Sequence, residues 1–391
     1  MRLRLLPFEY AVRNLGRSRA RLVASVLGSG LVVGLMLAAG GFVRGLERSL
    51  SISGRPSNVI LLGAGSEESV ERSQIAGQVA SIVTASVDGL RTRLGTPYVS
   101  PEVHMAALLK TDRDATRPLP AVLRGVTPAA FLVHDAVRIV EGRAPAAGQY
   151  EMMVGNLAAV RLGVSPETLA VGRALWFDNR PWTIVGRFEA AGTVMAAEIW
   201  CPLTELQIAT KRDTTVSCVV VTLDTAEFAD IDAFAKQRLD LELVALRESD
   251  YYGKLLRFYL PIRVMVWVTA GLIALGGVFG GLNTMYAAFA TRVRELGALQ
   301  TLGFSRAAIV VSFVQESLLA TAAGGLAAAA LTLALLDGLA VRVSMGAFAL
   351  VLDAPVLLLG LLAGVVLALV GVLPPAWRCL RLPIVEALRT A

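Results

Sequence analysis

His104 and His134 are the side chains of this protein best suited to bind a metal ion or to transfer protons near neutral pH. A metal site needs further ligands at short spacing, such as a second His, a Cys or a pair of carboxylates. Neither histidine has such a set beside it, and Asp135 is only the chain neighbour of His134. We therefore predict that both histidines are structural and that the protein holds no metal ion.

Cys201, Cys218 and Cys379 are too few and too scattered for a disulfide framework, and no CxxC pair suggests zinc. A disulfide between Cys201 and Cys218 is possible if both lie outside the cytoplasm, and the sequence leaves that pairing open.

Motifs for catalysis and nucleotide binding are missing from the sequence. There is no GxSxG elbow and no HExxH pair, and Glu67, Glu68 and Glu71 are typical of a solvated helix start. The pair Gly253-Lys254 lacks the first glycine of a phosphate-binding GxxxxGK[ST] loop and is not followed by Ser or Thr. We predict a protein that is not an enzyme, has no cofactor and takes energy from a partner.

The composition places much of the chain in lipid. Of 391 residues, 55% are hydrophobic and 17% charged, against about 25% charged in an average soluble domain. A bilayer core needs roughly 20 apolar residues in a helix, and the runs that meet this length are Leu22–Val43, Val264–Ala290, Ala307–Leu336 and Ala354–Trp377. The first run is longer than the core of a cleaved signal peptide, which favours an uncleaved anchor over that alternative.

Arginine positions predict the orientation, because short cytoplasmic segments beside membrane helices are rich in Lys and Arg. The N-terminus, the loop after the second run and the C-terminal tail are basic, whereas the segment between the third and fourth runs has no positive excess. Both termini are therefore predicted to be cytoplasmic. Since the charge of +6 is concentrated at these places, it does not indicate a nucleic-acid surface.

The predicted fold class is an α-helical membrane protein with one large mixed α/β extracytoplasmic domain between the first and second membrane helices. The predicted segments are a cytoplasmic or interfacial amphipathic helix (1–21), transmembrane helix 1 (22–43), the extracytoplasmic domain (44–257), transmembrane helix 2 (258–290), a cytoplasmic helix (291–306), transmembrane helix 3 (307–336), a short extracytoplasmic loop (337–353), transmembrane helix 4 (354–377) and a cytoplasmic tail (378–391). In the first segment Leu5, Phe8, Val12 and Leu15 share one helical face, which predicts contact with membrane lipid.

Short apolar runs bounded by turn residues predict the strands of the extracytoplasmic domain, and helical spacing of apolar residues predicts its helices. The predicted strands are Asn58–Leu62, Tyr98–Lys110, Leu119–Val126, Ala174–Phe177, Trp182–Phe188 and Ser217–Leu223, and the predicted helices are Glu71–Leu94 and Glu227–Leu239.

Glycines four residues apart predict close helix packing in lipid. The strongest candidates are the doubled glycines of the second membrane helix, and weaker pairs occur in the first and fourth; the candidates are Gly276, Gly277, Gly280 and Gly281, then Gly30 with Gly34 and Gly360 with Gly364. Glu316 lies inside the third membrane helix, where a charge is costly. We expect it to face the helix bundle, the alternative being a boundary residue that reaches lipid headgroups.

The loop ATRVRELGALQTLGFSRAAI predicts a short amphipathic helix that ends at Gly303, because apolar residues recur every three positions. Val293, Leu296, Leu299 and Leu302 form its apolar face. We predict that this face docks into a groove of a partner, with the arginines at the rim. The alternative is a juxtamembrane loop whose arginines contact anionic lipid.

The string RVRELGALQTLGFSR, followed by Gln315-Glu316-Ser317, resembles the cytoplasmic loop and third membrane helix of MacB/FtsX-like ABC transporter permeases. The strings LRGVTPAAF, IVEGRAPAAGQYEMMVGNLAAVRLGV and WTIVGRFEAAGTVMAAEIWCPLTELQ are similar to that family's periplasmic core domain, and the tail RLPIVEALRTA is similar to its usual ending. The resemblance implies one membrane helix before the domain and three after it, as the residues predict.

The resemblance further implies a bacterial inner-membrane permease that transmits the motion of an ATPase dimer supplied as a separate chain. A permease homodimer is expected, and efflux with a periplasmic adaptor and an outer-membrane channel is favoured by GLNTMYAAFATRVRE. Lipoprotein release, control of wall hydrolases and a non-transport receptor or scaffold remain alternatives. The expected ATPase-coupling residues are Arg292, Val293, Arg294, Glu295, Leu296, Gly297, Leu299, Leu302, Gly303, Phe304 and Arg306.

Overall fold

Four long apolar helices account for the hydrophobic runs of the sequence, and each is long and apolar enough to cross a membrane. The computed structural model describes residues 6–343 and 346–381. Its helices, in chain order, are α1 (Phe8–Arg17), α2 (Arg19–Ser53), α3 (Val79–Ser86), α4 (Ala130–Val133), α5 (Ala158–Leu162), α6 (Leu203–Thr210), α7 (Phe228–Gln237), α8 (Glu248–Phe258), α9 (Leu260–Ala290), α10 (Val293–Thr301), α11 (Arg306–Leu336) and α12 (Ala354–Leu380).

The chain divides into two units. A helical unit contains the described residues up to Arg44, then Pro261–Leu339 and the described residues from Leu350 onward. An α/β unit contains Gly45–Leu260 and Ala340–Ala349. The large domain after the first membrane helix is therefore mixed α/β, as predicted.

Glycines allow α2, α11 and α12 to approach each other closely within the helical unit. A Cβ atom on Gly324 of α11 would clash with the carbonyl oxygen of Val26 and the hydroxyl of Ser29 on α2. A Cβ atom on Gly360 of α12 would clash with Leu37 of α2 in the same way. These helices therefore approach each other through backbone surfaces that a larger side chain would block.

The doubled glycines of α9 differ from the expectation that they pack most closely. Gly277 faces Val32, at 2.5 Å from the position of an added Cβ atom. A Cβ atom on Gly276, Gly280 or Gly281 would meet no atom within 4 Å in the described chain. Sequence spacing identified small residues but not the side of the helix on which neighbours lie.

Extended segments build the α/β unit, and several of its strands are buried along most of their length. The strands are β1 (Asn58–Gly63), β2 (Ile75–Ala76), β3 (Thr92–Arg93), β4 (Thr96–Pro97), β5 (Val99–Leu109), β6 (Leu119–Val126), β7 (Val137–Gly142), β8 (Glu151–Gly155), β9 (Ala174–Phe177), β10 (Arg180–Ala190), β11 (Ile199–Pro202), β12 (Thr215–Val216), β13 (Cys218–Thr222), β14 (Leu243–Arg247), β15 (Ala340–Val343) and β16 (Gly346–Ala349). Short 3₁₀ turns occur at Val70–Arg72, Pro166–Leu169, Val194–Ala197 and Leu239–Leu241.

The main sheet has the strand order β14-β1-β13-β5-β6-β11-β8-β10-β7, and β9 pairs with β10. The pairs β6 with β11 and β8 with β10 are parallel, and the other pairs are antiparallel. Because side chains alternate along a strand, Val59 and Leu61 of β1 join the larger apolar core, while Ile60 and Leu62 join a separate cluster.

The predicted strands agree with β1, β5, β6, β9, β10 and β13, and the helix predicted at Glu227–Leu239 agrees with α7. The helix predicted at Glu71–Leu94 is wrong in extent, because only Val79–Ser86 is α-helical. The loop predicted at 337–353 contains the hairpin β15–β16, which belongs to the α/β unit. In the helix proposed across Glu248–Leu260, Tyr259 separates α8 from α9.

Cys201 and Cys218 are both buried and unpaired, so the disulfide left open by the sequence does not form. Cys201 lies on β11 and Cys218 on β13, with β6 and β5 between them. Since neighbouring strands lie about 4.8 Å apart, the two backbones are separated by far more than a disulfide spans.

Candidate functional site

The loop helix α10 begins after Arg292 and ends where Gly303 has a φ of +90°. A glycine at this position allows the left-handed turn that stops a helix. The loop therefore forms the short helix that the sequence predicts.

The apolar face of α10 lies against its own chain, which differs from the prediction that it docks into a partner. Val293 and Leu296 are buried, and Leu296 packs in a cluster with Phe289, Ile309 and Phe313. Leu299 and Phe304 pack against the same cluster from its edge, and Gly297 is buried. Residues of α9, α11 and α12 form the groove that holds this face. The apolar spacing of α10 is therefore explained by packing within the chain.

The surface that α10 leaves open is mixed rather than apolar. Its exposed residues are Arg294, Ala298, Thr301 and Leu302, and Gly303 and Arg306 continue it. Leu302 is 72% exposed, unlike the other three residues of the predicted apolar face. Partner contact at this helix is therefore available to Arg294, Leu302 and Arg306.

Glu316 of α11 lies inside the helical unit and accepts hydrogen bonds from two arginines. Nη2 of Arg21 on α2 lies 2.7 Å from its Oε1, and Nη1 of Arg292 lies 3.2 Å from its Oε2. The three side chains are 7%, 15% and 8% exposed for Glu316, Arg21 and Arg292. Arg292, predicted to be exposed, is instead buried because it neutralises this carboxylate. The cluster joins α2, the start of α10 and α11.

A second ion pair connects the N-terminal segment to the loop helix. Arg17 at the end of α1 lies 2.7 Å from the carboxylate of Glu295. Ala11 and Asn14 of α1 are buried, while Phe8 and Val12 are 55% and 48% exposed. Leu5, which was predicted on the same face, lies outside the described residues.

A buried polar network occupies the centre of the α/β sheet. Both oxygens of Glu102 on β5 are used: Nη1 of Arg124 lies 2.9 Å from Oε2, and Nε2 of His134 lies 2.7 Å from Oε1. His104 lies 3.0 Å from Oε2 of the same carboxylate. Arg124 also donates to both oxygens of Glu198, at 2.7 and 2.8 Å. The histidines thus belong to an ion-pair network.

The network controls the protonation of its members. Burial alone raises the pKa of the Glu102 carboxyl, but His134 and Arg124 outweigh it and hold that pKa well below its ordinary value. Burial lowers the pKa of His104, and the charge of Arg124 adds to that effect. Burial raises the pKa of Glu248, which accepts hydrogen bonds from the amide of Arg55 and the side chain of Asn58.

Glu102, His104 and Cys218 are close enough for their ligand atoms to surround one metal ion. Glu102 already accepts three hydrogen bonds, and the Arg124 guanidinium lies against it. Burial also raises the pKa of the Cys218 thiol, which disfavours a thiolate ligand. Glu102 and His104 are therefore already engaged in the ion-pair network, and Cys218 favours its neutral thiol form.

Sequence reasoning missed this assembly because its members come from distant segments. Glu102 and His104 are separated by one residue and share a face of β5, and Cys218 lies directly across from Glu102 on β13. Two polar residues at alternate positions of a strand with buried neighbours were the available signal.

The family model described as the MacB-like periplasmic core domain matches residues 22–238, which is more than half of the chain. The chain belongs to the MacB/FtsX-like permease family. A second model, the FtsX-like permease C-terminal region, matches residues 267–384. With four helices in its described part that are long and apolar enough to cross a membrane, this ABC transporter permease is a multi-pass membrane protein.

Two known proteins are similar to this chain. The uncharacterized ABC transporter permease YknZ of Bacillus subtilis (strain 168) is 22% identical over 335 residues, which cover 79% of this chain and 80% of that protein. The periplasmic region of MacB from Actinobacillus actinomycetemcomitans has 10% identity and a TM-score of 0.39, over 52% of this chain and 94% of that structure.

Proposed function

We propose that this permease transmits the ATP-driven motion of a separate cytoplasmic ATPase to its α/β unit, as one half of a homodimer with both termini in the cytoplasm. The single observation that supports coupling is the Arg21–Glu316–Arg292 cluster. It makes α10 a part of the helical unit instead of a flexible loop.

The cluster gives α10 a firm connection to the membrane helices. Removing one partner of a buried ion pair typically costs about 3–5 kcal/mol, because the remaining charge stays buried without compensation. The packing of Leu296 with Phe289, Ile309 and Phe313 adds apolar contact at the same place. A force applied to α10 is therefore passed to α2 and α11.

Helix α2 is long enough to carry that motion beyond the bilayer. Its 35 residues correspond to about 52 Å at 1.5 Å per residue, whereas the hydrocarbon core is about 30 Å thick. Among the membrane helices α2 is thus the continuous lever, since the α8–α9 connection is interrupted at Tyr259.

The partner surface follows from the exposed side of α10. Arg294 and Arg306 carry positive charge and Leu302 offers an apolar anchor, which suits a groove with carboxylates at its rim. We extend the proposal to export with a periplasmic adaptor and an outer-membrane channel, on the resemblance of the end of α9 to permeases that work with adaptors.

The test is copurification of the full-length permease with its ATPase, followed by ATP hydrolysis in lipid nanodiscs. Arg294→Glu combined with Leu302→Asp should reduce ATPase capture at least tenfold while the melting temperature of the permease alone is unchanged. Arg13→Glu, a change at another exposed arginine of the helical unit, serves as the charge control. Unchanged capture and hydrolysis in the double variant would exclude α10 as the coupling element.

A further inference from the structure

The α/β unit contains a cavity of about 810 Å³ beside the buried polar network. Glu102, Arg124 and Glu198 line one part of it, and every lining residue belongs to the α/β unit. Its volume lies within the range of small-molecule binding sites. The cavity is therefore large enough for a ligand.

Arg161 of α5 lines this cavity and lacks the partners that a buried arginine needs. The residue is 3% exposed, and its Nε and Nη2 atoms are buried without a hydrogen-bond partner among the described residues. An arginine side chain remains charged in proteins, and a buried donor left unsatisfied costs about 1–3 kcal/mol, with more for a charged group. Arg161 is thus a buried cation with unused donors.

Arg124 shows how the same unit treats an arginine with a structural role. Its guanidinium donates to Glu102 and to both oxygens of Glu198 and lies over the ring of Trp200. The charges of Glu198 and Glu71 are felt at Arg161, but neither forms an ion pair with it in the described chain. Unlike Arg124, Arg161 thus keeps buried donor atoms that are suited to an anion.

Most of the buried carboxylate oxygens of the cavity are already paired. Glu102 and Glu198 are paired with Arg124, and Oε2 of Glu248 accepts from the Arg55 amide and Asn58. In the described part of the wall, the buried donors without a hydrogen-bond partner belong to Arg161, which favours an anionic ligand. The planar guanidinium fork matches a carboxylate or a phosphate.

The rest of the wall is partly charged, through Glu67, Glu68, Glu71, Arg72, Lys254 and Arg257, and partly apolar. Leu46 and Leu50 of α2, Phe258 and Tyr251 of α8 and Phe348 of β16 contribute aliphatic and aromatic surface. We infer that the cavity binds an anionic amphiphile, with its carboxylate or phosphate on Arg161 and its hydrocarbon chain along this wall. This site is independent of the ATPase contact, so it is tested without the partner.

The test is calorimetric titration of the full-length permease in phosphatidylcholine nanodiscs, with empty nanodiscs as the blank. Dodecanoate and dodecyl phosphate carry the expected chemistry, dodecanol lacks the charge and inorganic phosphate lacks the chain. We expect the two charged amphiphiles to bind at least tenfold more tightly than dodecanol or inorganic phosphate. The tighter of the two identifies the head group as carboxylate or phosphate.

Arg161→Met should reduce binding of both charged amphiphiles to the level of dodecanol. Its melting temperature without ligand should be equal to or above that of the wild type, because an unpaired buried charge is removed. Arg173→Met, at an exposed position of the same unit, should change neither property. Equal binding of dodecanol and dodecanoate by the wild type would overturn the proposal even if the Arg161 variant failed to fold, and so would full affinity in a folded Arg161→Met protein.

Discussion

Arg124 forms ion pairs with two buried carboxylates, Glu102 and Glu198, which both depend on it for neutralisation. Burial tends to lower the pKa of Arg124, but these two carboxylates raise it well above its ordinary value. The network is stabilised by charge compensation. Removing one of its charged residues alone therefore leaves a buried charge without a partner.

Arg124→Met is expected to destabilise the protein by about 3–5 kcal/mol, because it leaves two buried carboxylates without their cation. The measurement is thermal and denaturant unfolding of the full-length permease, followed by tryptophan fluorescence. Arg138→Met removes an exposed arginine of the same unit and should be nearly neutral. A loss below about 1 kcal/mol in Arg124→Met would contradict the assignment of this residue as the charge centre.

Acidification should reduce stability through His104 and Glu102. Both have lowered pKa values in the folded state, so the unfolded chain takes up protons first as the pH falls. Their contribution to stability is complete above the pKa values of the unfolded chain, near 6.5 for His and 4.5 for Glu. It is lost as the pH falls through the lower pKa values of the folded protein. Melting temperatures between pH 7 and 5 should fall in the wild type and less steeply in His104→Gln.

Glu248 has the opposite effect on how stability depends on pH, because burial raises its pKa. Its contribution is present below the unfolded value and is lost as the pH rises through the folded value. Glu248→Gln should therefore gain stability relative to the wild type at pH 7 and lose that gain under acid conditions. The same series of melting curves checks this, and an advantage that grows with acidification would contradict it.

Among the helices, α10 illustrates the limit of periodicity. Apolar spacing predicted the helix and three of the four residues of its packed face, with Leu302 the exception, but the same pattern suits burial against the chain or against a partner. Only the positions of Phe289, Ile309 and Phe313 decide that Leu296 faces inward. The partner surface that we propose therefore lies on the exposed side, which carries Arg294 and Leu302.

The α2–α11 contact depends on Gly324, where an added Cβ atom would meet the backbone of α2. Gly324→Leu should separate these helices and lower the melting temperature of the helical unit strongly, because backbone atoms cannot move away as a flexible side chain would. Gly280→Ala is the matched control, since its Cβ position is open. Equal melting temperatures for the two variants, measured in the same nanodiscs, would contradict the packing.

At the scale of the whole molecule, the predicted orientation places residues 44–257 outside and the loop at 291–306 inside. In a background without Cys379, Asp213→Cys should react with a membrane-impermeant maleimide in intact cells. Ser305→Cys should react only after permeabilisation. Both positions are exposed, and Cys201 and Cys218 are buried. The reverse pattern would invert the topology.

Local chemistry allowed the sequence to determine the class of this protein. Apolar runs of about twenty residues are typical of membrane helices, and short apolar segments bounded by turn residues, such as Leu119–Val126, are typical of buried strands. The family resemblance of the loop and the domain was likewise readable without coordinates, as the matches to residues 22–238 and 267–384 confirm.

Contacts between distant segments were decided only by the tertiary structure. Glu316 meets Arg21 across 295 positions and Arg292 across 24, and Arg124 finds Glu198 across 74. The hairpin at Ala340–Ala349 joins the α/β unit although membrane helices flank it in the sequence. Charge pairing and packing depend on distance in space, and a linear pattern specifies which residues need partners but not which partners they find.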